Sequence, residues 1–208
     1  MKTTMFNLHT LNQRIKGYQL NWLMYLLVFL FFVGLIIGSF TIKNSENIFV
    51  ERIVSIYSDY LKQKNSFRPL NVFMYTFLLS ITAIFSSFFV GLCAVGIPFI
   101  VIVPISVGVI IGIISGYLYE SFLLKGLGYC AIIIFPAAAI AIVGILFSCK
   151  ESILMSKSML SLLANGRSQN QNYFKSYCTK FIIYAGICAL AAVIETILYH
   201  FFSDLFIF

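Results

Sequence analysis

The chain has 208 residues, of which 61% are hydrophobic and only 10% are charged, and its formal net charge is +7. A mean hydropathy of +0.97 lies far above that of soluble domains, so the composition excludes an ordinary water-soluble protein. The positive charge does not indicate a nucleic-acid partner, because most basic residues border apolar segments, where they can contact lipid head groups. The sequence therefore predicts an all-α, polytopic helix bundle within a lipid bilayer.

The N-terminal segment, residues 1–19, precedes the first apolar run. Met5, Leu8, Leu11 and Ile15 recur every three to four residues, which favours a short surface helix. Basic residues beside membrane spans favour the cytoplasmic side. With the N-terminus inside, eight of them lie in the cytoplasm and six on the other side. We therefore expect a cytoplasmic N-terminus and an external C-terminus.

Charge-free segments divide the chain into about five spans. The 51 residues between Arg68 and Glu120 carry no charge and would form a helix of about 75 Å, whereas a bilayer core is about 30 Å thick. This segment therefore contains two spans, and two glycines and a proline place the break within residues 91–98. The prediction is one transmembrane domain over 20–200, with a tail over 201–208 and spans at about 20–40, 70–92, 97–119, 126–149 and 178–200.

Residues 44–61, between the first two spans, are predicted to form a short amphipathic helix. Its aromatic-rich side contains Phe49, Ile53, Tyr57 and Tyr60 at helical spacing, and its other side is charged. Such a helix can lie in the head-group layer or on the bundle. It can also be the surface on which an extracytoplasmic partner docks, and both interpretations remain open.

A second amphipathic stretch, residues 151–163, continues the fourth predicted span. Ile153, Leu154, Leu160 and Leu163 lie on its apolar side, and an Asn-Gly pair then predicts the end of the helix.

Small residues and prolines form the clearest pattern inside the predicted spans. Small residues four positions apart share one helix face and allow another backbone to approach closely, whereas a proline removes a backbone donor and should kink its helix. Packing within one bundle is the first interpretation, and a homo-oligomer interface is the alternative. The predicted helix-packing residues are Gly34, Gly38, Gly108, Gly112, Gly116, Pro104 and Pro136.

The sequence contains none of the common catalytic, nucleotide-binding or metal-binding motifs. His-Glu-x-x-His, Gly-x-Ser-x-Gly and Gly-rich phosphate loops are absent, and the five cysteines form no Cys-x-x-Cys pair. The candidate intramembrane polar residues are Glu120, Glu195 and His200. All three lie near predicted helix ends, which favours solvated boundary residues over functional ones. We therefore predict no catalytic residue, no metal, no cofactor and no enzymatic activity.

The order of these features resembles the stage II sporulation protein M family. The resemblance covers most of residues 20–200 and rests on four features. They are the end of the first span at 32–39, the amphipathic insertion, the Gly-rich break between the paired spans, and residues 124–128 leading to Phe135-Pro136. In that family the proline is often followed by a His-Gly pair and later by a Glu. In this chain three alanines follow Pro136, and the next acid is Glu151.

The resemblance implies a multi-pass protein of the bacterial cytoplasmic membrane that acts by binding. In spore formers, members of the family assemble with cell-wall-degrading partners during engulfment of the forespore. It therefore predicts a non-catalytic scaffold that positions membrane or extracytoplasmic proteins, such as peptidoglycan hydrolases. The alternative is a permease subunit that pairs with a separate ATPase.

Overall fold

The computed structural model describes residues 2–42, 55, 69–165 and 171–202. The amphipathic helix predicted over 44–61 and most of the predicted tail lie outside these residues. The described part of the chain is helical, which confirms the all-α prediction. Its α helices are α1 (Lys2–Thr41), α2 (Pro69–Leu92), α3 (Ile97–Tyr129), α4 (Phe135–Asn165) and α5 (Gln171–Phe202), and a π-helical turn, Cys130–Ile134, joins α3 to α4.

Four stretches of the described chain are long and apolar enough to cross a bilayer. They are Trp22–Thr41, Val72–Leu92, Ile97–Leu163 and Phe174–Phe202. The protein is therefore a multi-pass membrane protein. The third stretch has 67 residues, or about 100 Å of helix, and cannot cross a bilayer core of about 30 Å as one straight element.

This long stretch folds back on itself at Leu123. The backbone of Leu123 has φ 50° and ψ −126°, a left-handed conformation that interrupts the helix. Beyond it, Tyr129 and Ile133 pack against Ile114 and Leu118, which precede the break. The two parts therefore form an antiparallel hairpin.

Contacts between other helices fix their relative directions. Ser87 of α2 meets Ser148 of α4, and the turn after α2 meets Ser156, so α2 and α4 run parallel. Tyr177 of α5 contacts Phe88, close to the end of α2, so α5 runs antiparallel to α2. We call the end of the bundle with the Cys93–Gly96 turn the turn end, and the end with Leu123 the hairpin end.

Helices α1 and α3 run parallel and pack backbone against backbone. A Cβ added to Gly34 would collide with the carbonyl oxygen of Ile105, and one added to Gly108 would collide with that of Phe31. The same relation recurs one turn further along both helices. Only glycine permits this approach, because any side chain would occupy the space of the facing carbonyl group.

Helix α1 differs from the expected arrangement at its N-terminus. It runs without a break from Lys2 to Thr41, so the predicted surface segment and the first span belong to one helix of 40 residues. Its apolar stretch begins only at Trp22. At a rise of 1.5 Å per residue, α1 continues about 30 Å beyond that stretch at the turn end.

The C-terminal part of α4 is only partly covered. Ile153 is buried in the bundle together with Met155. Leu160 and Leu163, which lie past the turn end, are 49% and 77% exposed. The predicted apolar side of residues 151–163 is therefore buried at its start and exposed at its end, among the residues that the structure describes.

Candidate functional site

A cavity of about 570 Å³ lies between α2, α3 and α4. Most of the side chains that line it are aliphatic. On α3 they include Val103, Val107 and Ile110, and on α4 they include Ala138 and Ile142. The cavity is a candidate site because it combines an apolar wall with one acidic side chain from α5.

That acid is Glu195, and it lies at the part of the cavity nearest the hairpin end. Glu195 is half-buried, and Thr76 of α2 donates a hydrogen bond to its carboxylate. Tyr75, the neighbour of Thr76, also lines the cavity and lies close enough to interact electrostatically with Glu195. The antiparallel arrangement of α2 and α5 brings these residues together although they are about 120 positions apart in the chain.

Three of the hydroxyl groups that line the cavity each donate the proton to a carbonyl of their own helix. Thr82 bonds the carbonyl of Leu78 at 2.7 Å, Ser86 that of Ala83 at 2.9 Å, and Ser106 that of Val103 at 2.8 Å. A hydroxyl group that has used its proton can only accept further hydrogen bonds. These groups therefore present acceptors, not donors, to the cavity.

The local sequence of α4 explains why there is space here. Pro136 has no N–H group, and its ring would clash with the carbonyl of Ile132 in a regular α helix. The preceding turn is π-helical, and the N–H of Phe135 reaches back to the carbonyl of Cys130. The small side chains of Ala137, Ala138 and Ala141 then follow on the cavity wall.

Hydroxyl groups join the helices below the cavity, toward the turn end. The Ser87 and Ser148 hydroxyls are 3.1 Å apart, and both residues are fully buried. Ser152 lies 3.2 Å from the hydroxyl of Tyr177, which also bonds the carbonyl of Phe88. Ser156 donates to the carbonyl of Cys93 at 2.8 Å. The network closes the bundle at this end and satisfies carbonyls in the turn that follows α2.

One ion pair links α4 to α5 near the same end. The Nζ atom of Lys180 lies 2.9 Å from a carboxylate oxygen of Glu151. The lysine side chain is 44% exposed, so the pair belongs to the bundle surface.

The other polar residues selected from the sequence do not join the cavity. Glu120 is exposed near the hairpin, and His200 is exposed on α5, five positions beyond Glu195, with its ring against Phe201. The candidate partner residues Phe49, Ile53, Tyr57 and Tyr60 lie outside the described residues.

The residues selected for helix packing lie at two places. Gly34, Gly38, Gly108 and Gly112 lie in the α1–α3 interface, and Gly116 faces Ile42 and Ser39 at the end of α1. Pro104 is buried in α3, and Pro136 follows the π-helical turn.

Two features of the site were not expected from the sequence. The polar lining of the cavity includes Thr76, Thr82 and Ser86, which are polar residues in an otherwise apolar helix. The serine network depends on Ser148, Ser152 and Ser156, whose four-residue spacing places them on one face of α4. That spacing was the available signal for the network.

In the part of the chain that the structure describes, no group of three His, Cys, Asp or Glu side chains could hold a metal ion.

Comparison with known proteins gives one match. Searches of curated proteins and of solved structures returned no significant similarity. Residues 27–198 match the family described as Stage II sporulation protein M. The matched range includes most of the described bundle, from the apolar stretch of α1 to the end of α5. Because the match covers well over half of the chain, the protein belongs to the stage II sporulation protein M family.

Proposed function

We propose that this protein is a non-catalytic integral membrane scaffold that positions membrane or extracytoplasmic partner proteins, such as peptidoglycan hydrolases. Membership of a family named for the second stage of sporulation supports a role in cell remodelling.

The observation that carries the proposal is the apolar end of α4. The buried face that contains Cys149, Ser152 and Ser156 continues as Leu160 and Leu163. These two leucines, which we call the α4 extension, are exposed beside Lys157. Apolar side chains at a helix end beyond the bundle are typical of a protein contact surface. Helix α1 also continues past its apolar stretch at this end, which gives a partner a second helix to contact.

Affinity purification of the full chain from its host in mild detergent tests the proposal. A lysine in place of Leu160 or Leu163 introduces charge into the contact, so we expect recovery of a co-purifying partner that is bound at the turn end to fall about tenfold or more. Ser161→Lys is the matched control, because Ser161 is exposed on another side of the same turn. Undiminished recovery with both leucine variants would contradict the assignment of this surface.

The same experiment examines the aromatic surface predicted from the sequence. Charged substitutions at Phe49 or Tyr57 should reduce recovery of an extracytoplasmic partner, whereas Glu195→Gln should not. If Glu195→Gln reduced recovery and the charged substitutions at Phe49 or Tyr57 did not, the result would favour the permease alternative.

A permease subunit that pairs with a separate ATPase remains the second candidate. The cavity with Glu195 favours it, because an acid within a membrane bundle is a common element of transport sites. Recovery of an ATPase in place of a hydrolase would support this function over the scaffold.

We also propose that the chain crosses the membrane five times, with the N-terminus in the cytoplasm. The reversal at Leu123 supports counting the Ile97–Leu163 stretch as two spans. The basic residues Lys150, Lys157 and Lys175 near the turn end support a cytoplasmic turn end. Fusions to alkaline phosphatase should be inactive after Asn165 and active after Phe208. Equal activity at both sites would contradict this topology.

A further inference from the structure

We propose that the cavity between α2, α3 and α4 binds a hydrophobic monocation, an apolar body with one positive charge, and that Glu195 holds that charge. This site is separate from the α4 extension, and the proposal does not depend on the scaffold role.

The size and lining of the cavity suit a small apolar ligand. Its volume of about 570 Å³ lies within the range of small-molecule sites, which are mostly apolar with a few polar groups. Fourteen of its 21 lining residues are aliphatic. The apolar body of the ligand would replace lipid or detergent chains against Val107, Ile110 and Ile142.

The charges of the side chains that line the cavity indicate that the ligand is positively charged. Glu195 is the single carboxylate among the lining residues, and none of them is a lysine, arginine or histidine. Thr76 gives the carboxylate one hydrogen bond. A carboxyl group in apolar surroundings is either protonated or compensated by a positive charge, so a bound cation favours its ionised form. A ligand cation provides that charge.

Three of the other polar side chains that line the cavity also favour a cation over an anion. Thr82, Ser86 and Ser106 present acceptors to the cavity because their protons bond carbonyls of their own helices. Tyr75, which lies near Glu195, brings an aromatic side chain to the same end of the cavity, and aromatic side chains attract cations. An anion would meet the Glu195 carboxylate and these three acceptors. A zwitterionic phospholipid would place its phosphate among acceptors, so it is a poorer ligand than a simple cation.

The cavity is accessible from the side of the bundle. Leu78 and Leu79 of α2 are 58% and 41% exposed, and Ser106 of α3 is also exposed, although all three line the cavity. Contact between Ser87 and Ser148 closes it toward the turn end. A ligand dissolved in the bilayer can therefore enter between α2 and α3.

Tetraphenylphosphonium and tetraphenylborate test the proposal, because they are similar in shape and opposite in charge. Saturable binding is measured on the purified full chain in non-ionic micelles, with the signal of protein-free micelles subtracted. We expect the cation to bind and the anion to bind at least about tenfold more weakly. Glu195→Gln should weaken cation binding about tenfold, whereas Glu120→Gln, at an exposed acid outside the cavity, should leave it unchanged.

A second pair of variants tests the position of the bound ion without changing charge. Ala138 lines the cavity, and its neighbour Ala139 is exposed and does not. Ala138→Leu should fill part of the space and weaken binding, whereas Ala139→Leu should not. The proposal is overturned if both ions bind equally, if Glu195→Gln binds the cation as the wild type does, or if the two alanine variants cannot be distinguished. Retention of the wild-type elution volume and Tm identifies variants that remain folded.

Discussion

Two interfaces of this bundle join membrane helices in different ways. Between α1 and α3, the contact is made by backbone atoms, because Gly34 and Gly38 face the carbonyl groups of Ile105 and Val109. Between α2, α4 and α5, side chains donate hydrogen bonds across the helices, as Tyr177 does to the carbonyl of Phe88 and Ser156 to that of Cys93. The glycine positions of the first interface leave no room for a side chain, whereas the hydrogen bonds of the second depend on side chains.

The difference follows from the solvent. Lipid tails are as apolar as leucine, so burying apolar side chains gives little net drive for helix association, and helices associate through close packing or interhelical hydrogen bonds. Close packing is lost when an atom is added, whereas a hydrogen-bonded interface is weakened when a polar atom is removed. The cavity lies against the same part of α3 that packs on α1 through Gly108 and Gly112, but none of its lining residues belongs to α1.

The largest expected effect is on the glycine interface. A Cβ added to Gly112 would collide with the carbonyl oxygen of Leu35 and lie 3.0 Å from the nitrogen of Ser39. Both atoms belong to the backbone, so relief requires α1 to move. We expect Gly112→Ala to lower the free energy of unfolding by about 2–3 kcal/mol, measured by thermal or denaturant unfolding in detergent.

Gly186→Ala is the matched control for this prediction. No atom lies within 4 Å of a Cβ added to Gly186 in α5. The change should be neutral, or should stabilise the helix by up to about 1 kcal/mol, because alanine favours helices more than glycine does. Equal destabilisation by both variants would show that the loss comes from helix propensity, and the distinction between the two interfaces would fail.

The sequence predicts one of these interfaces better than the other. Charge-free segments identify membrane helices because few ionisable groups enter a bilayer, and glycines four residues apart identify a face that allows close approach. A serine such as Ser87 carries no comparable signal, since Ser148, which it meets, is 61 residues away and each also bonds a carbonyl of its own helix. The spacing of Ser148, Ser152 and Ser156 indicates a polar face of α4, but the groups that this face meets become visible only after the fold is known.

The sequence predicts a break between residues 119 and 126, but neither the residue that reverses the chain there nor the cavity was predicted. A chain reversal with positive φ usually contains glycine, but here the left-handed residue is Leu123, and the nearest glycine is Gly126. The carboxylate of Glu195 was expected at a solvated helix end because it lies near the end of the predicted fifth span, 178–200. Its position beside Thr76 depends on the direction of α5 relative to α2, which local sequence does not encode.

The smaller effect is expected in the hydrogen-bonded interface. Tyr177→Phe removes the hydroxyl that lies 3.2 Å from Ser152 and bonds the carbonyl of Phe88, while its ring still stacks on Phe88. We expect a loss of about 1 kcal/mol in the free energy of unfolding, because interhelical hydrogen bonds in membranes contribute modestly.

Tyr184→Phe is the control in the same unfolding assay, since Tyr184 contributes ring contacts with Phe147 and Phe181 that phenylalanine retains. In a double-mutant cycle, the loss in the double variant Tyr177→Phe and Ser152→Ala should be smaller than the sum of the two single losses. The difference measures the coupling between Tyr177 and Ser152. If Tyr177→Phe were as stable as the wild type and the cycle showed no coupling, this interface would be held by packing alone. The two interfaces would then differ only in how closely their backbones approach.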